Sequence, residues 1–133
     1  MILVDTSVWI DYLNGISSKQ TDTLDSAIIE GVVAMGDLIF LEILQGIRDD
    51  REYLMTKKNL TTLDQLEMFG KGMPEICAEN YRTLRKKGVT IRKTTDVIIA
   101  SFCIEQRMPL LFIDRDFIPF VDYLGLISVL PSK

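Results

Sequence analysis

The sequence predicts a three-layer α/β/α domain built around a central, mainly parallel sheet of four to five strands. Three observations carry that reading. The chain opens with Ile2-Leu3-Val4, apolar at every position, and a near copy, Leu110-Leu111-Phe112-Ile113, recurs near its end. Short runs of this kind suit strands buried on both faces, as parallel strands are. Both runs stop at an aspartate, Asp5 and Asp114, and between them short apolar runs alternate with segments of helical periodicity, the pattern of a parallel α/β sheet. At 133 residues the chain is expected to form one domain, residues 1–133, large enough to bury a real core.

The elements follow in order. After Asp5, either Thr6 or Ser7 is placed to N-cap a helix over residues 8 to about 14. Residues 16–20 form a mostly polar link. Leu24, Ala27 and Ile28 then mark a helix over 21–30, with Thr21 or Asp22 as its cap and Gly31 as its stop. Residues 32–35 read as a second buried strand ended by Gly36. Asp37 opens a helix from 38 to about 47, and another covers 51–60. The weak alternation at 66–69 is the candidate third strand. Pro74 suits a helix first turn, and the row Cys77, Tyr81 and Leu84 carries that helix to Lys87, with Gly88 at its C-terminal cap. Thr94-Thr95-Asp96 starts a nearly all-apolar helix over 97–107, expected to be enclosed. Pro109 breaks it, 110–113 form the fourth strand and 126–130 the fifth.

Composition narrows the chemistry. The chain contains no histidine, which removes Ser-His-Asp and Cys-His catalysis and imidazole-bound zinc. Cys77 and Cys103 lie among apolar neighbours without CxxC spacing and are expected to be reduced core thiols. No apolar run approaches the ~20 residues of a membrane span. The N-terminus shows no basic, signal-like segment, so the cytoplasm is the expected location. A formal charge of −4 opposes non-specific attraction to nucleic acid and leaves open a local basic patch. Carboxylates, hydroxyls, Lys and Arg must carry any reaction.

Five acids stand out. Asp5 and Asp114 fall at strand carboxyl ends, where open α/β sheets bind ligands, although each alone is equally a turn or cap residue. Asp96 lies in a helix first turn, where the helix dipole favours an ionised carboxylate whether it caps or binds metal. Glu42 interrupts the apolar run 38–44 and serves either a solvated face or a site. Asp116 either caps a short helical turn or joins Asp114. Packed together and unpaired, such groups repel and take up protons. A divalent cation resolves the conflict, and oxygen-only ligands select hard ions such as Mg²⁺ or Mn²⁺. Water activated by such an ion attacks a phosphodiester without histidine. Thr6 and Ser7 are placed to steady that water or a phosphate.

In four stretches the chain resembles the PIN-domain family, in particular the VapC-type toxins of toxin–antitoxin pairs. They are Val4-Asp5-Thr6-Ser7-Val8-Trp9-Ile10, Leu41-Glu42-Ile43-Leu44-Gln45-Gly46, Thr95-Asp96-Val97-Ile98-Ile99-Ala100 and Phe112-Ile113-Asp114-Arg115-Asp116-Phe117. The resemblance spans residues 1 to about 120. It implies a PIN-like fold and a Mg²⁺- or Mn²⁺-dependent endoribonuclease whose catalytic and metal residues are Asp5, Glu42, Asp96 and Asp114. Asp116 matches the family's second aspartate of the last motif, as a ligand or a supporting group, and Ser7 matches the small hydroxyl position. It also implies a homodimer neutralised by a small VapB-like antitoxin.

RNA must still approach an acidic protein. Candidate phosphate contacts are Arg92, Lys93 and Arg115, and the face bearing Arg82, Arg85, Lys86 and Lys87, although charge runs are commonly just solvated. Trp9 and Tyr12 suit core or dimer contacts better than base stacking. The alternative of another class is a non-catalytic module whose acidic pocket docks a partner or a structural ion. An aspartate-nucleophile phosphatase wants a second acid where Ser7 stands, and a receiver-like domain wants a strand-end lysine that 126–130 lacks.

Overall fold

Three apolar residues at the start of the chain form the strand on which the sheet is laid. In the computed structural model, which describes residues 1–131, β1 (Ile2–Val4) pairs in parallel with β2 (Val33–Gly36) on one side and β4 (Leu110–Leu111) on the other. β3 (Asp64–Leu66) adds to the far edge of β2, so the order is β3-β2-β1-β4 and every pairing is parallel. Residues 132 and 133 of the expected domain lie outside the described residues. Leu3, Val4, Leu110 and Leu111 are fully buried, as the unbroken apolar runs require.

Between the strands run α1 (Thr6–Leu13), α2 (Lys19–Glu30), α3 (Asp37–Gly46), α4 (Asp50–Leu60), α5 (Met73–Lys86) and α6 (Thr94–Gln106). A 3₁₀ turn (Arg115–Phe117) and α7 (Ile118–Leu124) follow β4. α1 packs on α2 and α3, and α3 on α4; α5 packs on α6 and α7. These two groups sandwich the sheet in the three-layer architecture expected. Cys77 and Cys103 are both free and buried, and Trp9 is in the core at 2% exposure.

Several boundaries differ from expectation, each for a local reason. α1 is capped by Asp5 rather than by Thr6 or Ser7: the strand-end carboxylate itself accepts from the Ser7 amide. α2 begins two residues early because Ser18, not Thr21 or Asp22, is the cap, and Thr21 completes the reciprocal capping box. The third strand lies at Asp64–Leu66 instead of 66–69, in register with Ala34–Gly36. Met68 leaves the strand direction and enters the core, its amide donating to Asp37 Oδ1 at 3.2 Å. The expected fourth strand shortens to two residues, and the expected fifth reduces to one parallel bridge between Leu110 and Ser128. Asp116 does not cap the turn after β4; Asp114 does, accepting from the Asp116 amide at 2.9 Å. α7 had no counterpart in the sequence reading, because Pro119 in its first turn and Gly125 at its end leave too short a periodic stretch to recognise.

Position 36 tolerates no side chain for reasons of space rather than backbone angle. A Cβ there would lie 2.2 Å from the Met68 sulfur, and Met68 is itself fully buried. Gly36 ends β2 and leads directly into α3, the helix that carries Glu42. Gly36→Ala is expected to cost about 1–3 kcal/mol by overpacking. Met68→Ala alone should cost ~2–5 kcal/mol by leaving a cavity. The double variant should lose clearly less than the sum of the two, as urea-unfolding midpoints would show; strict additivity would mean that the two positions do not touch.

Candidate functional site

The strand order creates the site. The chain steps from β1 to β2 to β3 in one direction, then returns to place β4 on the other side of β1. The carboxyl ends of β1 and β4 therefore flank the point where the winding reverses, the place where open α/β sheets form a crevice. Asp5 follows β1 directly, and its amide donates to the Leu111 carbonyl of β4 at 2.9 Å. Asp114 stands three residues beyond Leu111. Two aspartates read from the sequence as strand ends thus arrive at neighbouring strand ends.

α6 brings the third. Its residues Asp96 to Cys103 are all buried. Burying a large apolar side chain contributes ~1.5–3 kcal/mol, so Val97, Ile98, Ile99 and Phe102 together hold the helix firmly against the sheet. No side chain caps its N-terminus, and Asp96 sits in the first turn at the positive end of the dipole. One oxygen each from Asp96, Asp114 and Asp116 lies within 4.8 Å of the others. That spacing is comparable with the roughly 4–5 Å between opposite ligands of a hard divalent cation.

Asp5 and Glu42 adjoin this triple, each steadied by a hydroxyl. Ser7 Oγ donates to Asp5 Oδ2 at 2.8 Å, and Thr6 Oγ1 donates to Glu42 Oε1 at 2.6 Å. α1 and α3 are thereby tied together at the site by residues 36 apart in sequence. Thr6 and Ser7, expected to steady water or phosphate, hold two of the carboxylates.

The electrostatics record the crowding. Burial raises the Asp5 pKa, opposed by the Ser7 hydroxyl and the Thr6 and Ser7 amides, with Glu42 adding to the rise. Asp96 is pushed up to about 7, first by burial and then by the Asp5 charge; Lys93 opposes the shift, while Asp114 and Glu42 add to it. Asp5 also reaches the buried Cys103 thiol, which burial chiefly drives to about 12. That thiol is no nucleophile.

One atom marks what the cluster lacks. Asp96 Oδ2 is fully buried and has no hydrogen-bond partner among the described residues. An orphaned carboxylate oxygen is costly in a low-dielectric setting, and its carboxylate stands among other acids. A hard cation meets that need, and the donor set is all oxygen. The residues present fit a divalent ion.

The cationic candidates separate. Arg92 Nη2 donates to Asp116 Oδ2 at 3.2 Å, so it reaches an acid of the cluster. Lys93 acts on Asp96 through its charge alone. Arg115 turns away to line a small cavity of about 110 Å³ with Gln20, Ile113 and Ser128. Arg82 and Arg85 line a separate groove between α5 and α6, and Lys87 lies over the Tyr123 ring. Tyr12 donates to Asp25 at 2.7 Å. The ion pair of Arg92 was not legible in sequence, since the two residues lie 24 apart.

Comparison with known proteins bears on the family and the fold. Residues 2–120 match the family model of the PIN domain. Ribonuclease VapC11 of Mycobacterium tuberculosis and VapC ribonuclease Mb1587 of Mycobacterium bovis are each 29% identical over 119 residues, covering 88% of this chain and 89% of the relative. Among solved structures, VapBC2 from Rickettsia felis, bound to a DNA fragment from its promoter, superposes with a TM-score of 0.75 at 19% identity. That match covers 96% of this chain and 97% of the other. VapBC-5 of M. tuberculosis, a member of the VapBC family of toxin–antitoxin systems, gives 0.66 at 18% identity, covering 96% and 98%. At these identities the solved structures establish a likeness of fold.

The raised Asp96 pKa sets a pH dependence for the metal-free protein. Between about pH 4 and 7 the folded state holds a proton that the unfolded chain has released, so stability falls as pH rises through that window. A shift of roughly three units at about 1.4 kcal/mol each bounds the effect near 4 kcal/mol. In EDTA, the melting temperature should drop from about pH 5 to 8. Asp96→Asn should flatten that slope and melt several degrees above wild type at the alkaline end. Equal slopes for the two proteins would show that Asp96 is not the group responsible.

Proposed function

The chain belongs to the PIN-domain family, and from that premise we propose that it is a metal-dependent endoribonuclease, the toxin of a toxin–antitoxin pair. Its reaction is the hydrolysis of RNA phosphodiester bonds with a Mg²⁺- or Mn²⁺-activated water. The observation that carries this reading is the orphaned, buried Asp96 Oδ2 beside Asp114 and Asp116, in a chain without histidine. The relatives named as ribonucleases support it.

Asp96, Asp114 and Asp116 would hold the ion, with Asp5 and Glu42 completing the acidic wall. When bound, the cation supplies Lewis-acid polarisation of the phosphate and a lowered pKa for a coordinated water. The remaining work belongs to the chain. Ser7 and Thr6 fix Asp5 and Glu42 through their hydroxyl protons, so that the carboxylates present oxygens in a set orientation. The α6 N-terminus favours ionised Asp96, and Lys93 assists. The apolar helix behind Asp96 excludes water from that side, which strengthens every charge interaction in the crevice.

The partners proposed are an RNA substrate, a second copy of the chain and a small VapB-like antitoxin. The solved VapBC structures of this fold support the antitoxin. So does a groove of about 170 Å³ in which Ile10, Leu13, Ile43 and Ile47 stand with the polar Asn14, Arg48 and Glu52. Among the described residues no helix is long and apolar enough to cross a membrane.

Purified, antitoxin-free protein should cut cellular RNA into discrete fragments with Mg²⁺ or Mn²⁺. It should not do so in EDTA, and Asp96→Asn prepared identically should be inactive. Ser7→Ala should lose activity by about 10–100-fold, as expected for a group that orients a ligand. If wild type and Asp96→Asn give the same fragments, or neither cuts RNA of the native host, the nuclease reading fails and a non-catalytic acidic pocket takes its place.

A further inference from the structure

We infer that Arg92 is a resident counter-ion of the acidic cluster: its guanidinium and a divalent cation compete for Asp116, so the loop before α6 sets the metal affinity of the site. The inference rests on the metal-centre reading above.

The chain carries 15 Lys and Arg and 19 Asp and Glu, yet among the described residues only one ion pair forms, and it joins Arg92 to an acid of this cluster. Asp116 is held for the purpose, since its own amide donates to Asp114 Oδ1. The backbone around Arg92 is equally held. Ile91 is buried at 5% exposure, and the Lys93 carbonyl accepts from the amides of Asp96 and Val97. Only the side chain is free, at 76% exposure against 26% for Asp116. The guanidinium therefore meets Asp116 from the solvent side.

Its chemistry suits a displaceable occupant. A guanidinium keeps its charge at every working pH and offers five donors, of which one hydrogen bond to a side chain is used here. A pair this exposed is weak, because ordering a long side chain offsets much of the attraction. It yields to a divalent ion that engages several carboxylates at once, while raising the concentration at which that ion occupies the site. Neither other nearby cation does this: Lys93 makes no ion pair, and Arg115 lines another cavity.

The test is Mn²⁺ binding to antitoxin-free protein, by titration calorimetry at low salt, with no activity readout. Arg92→Gln should bind Mn²⁺ about two- to five-fold tighter than wild type, the range an exposed pair supports, and the gain should shrink in ~0.5 M salt. Arg115→Gln removes the same charge from the neighbouring motif and should leave the affinity near that of wild type. Equal or weaker binding by Arg92→Gln overturns the inference while leaving the metal centre intact. An equal gain from Arg115→Gln also overturns it, by reducing the effect to net charge. A wild-type protein that binds no Mn²⁺ overturns the metal reading and this inference together.

Discussion

A carboxylate buried beside other carboxylates must lose its charge or find a cation, and this chain buries two of them, Asp5 and Asp96, at the carboxyl end of its sheet. Asp114, Asp116 and Glu42 stand close enough to add their fields or their oxygens. Every feature of the crevice answers to that crowding. Hydroxyls and amides stabilise the charge of Asp5, a lysine opposes the neutralisation of Asp96, and an arginine covers Asp116. What none of them reaches is Asp96 Oδ2. The unmet need is for positive charge, and it is the same need that makes the site suited to phosphodiester chemistry.

The scaffold tolerates this arrangement because its apolar packing is concentrated behind it. α6 is buried along most of its length, and β4 and all of β1 but Ile2 are fully enclosed. Gly36, the N-cap of α3, packs closely against Met68. The Thr6–Glu42 hydrogen bond then joins α3 to the first turn of α1. Rigid elements, rather than loops, thus position Asp5, Glu42 and Asp96. The exceptions are Asp114, which caps a short 3₁₀ turn, and Asp116 within it, and Asp116 is also the acid that the exposed Arg92 side chain contacts. The arginine contact thus falls on the least regular backbone of the site.

Much of this was legible in the residues. Unbroken apolar runs can only be buried strands or buried helices, so 2–4 and 110–113 announced a parallel sheet. The acids that ended those runs could be assigned to one edge. The helical stretches other than the short α7 were equally readable, because burial of one face imposes a period that survives in sequence. Strand limits were not. β3 is largely exposed, so its residues carry little hydrophobic signal, and the register that places it at Asp64–Leu66 depends on β2. The bridge at Ser128 replaced an expected strand for the same reason: pairing depends on a neighbour that periodicity cannot see.

By itself, then, the sequence determined the layer architecture and the buried helix α6 and singled out the five acids as candidates, because hydrophobic pattern and residue chemistry are local properties. Tertiary structure decided the rest. It placed β4 beside β1 and so put Asp5 and Asp114 at one crevice. It grouped Asp96 with Asp114 and Asp116, joined Thr6 to Glu42, and laid Arg92 across 24 residues onto Asp116. Those are distances between parts of the chain far apart in sequence. They exist only once the strand order and the packing of α6 have brought those parts together.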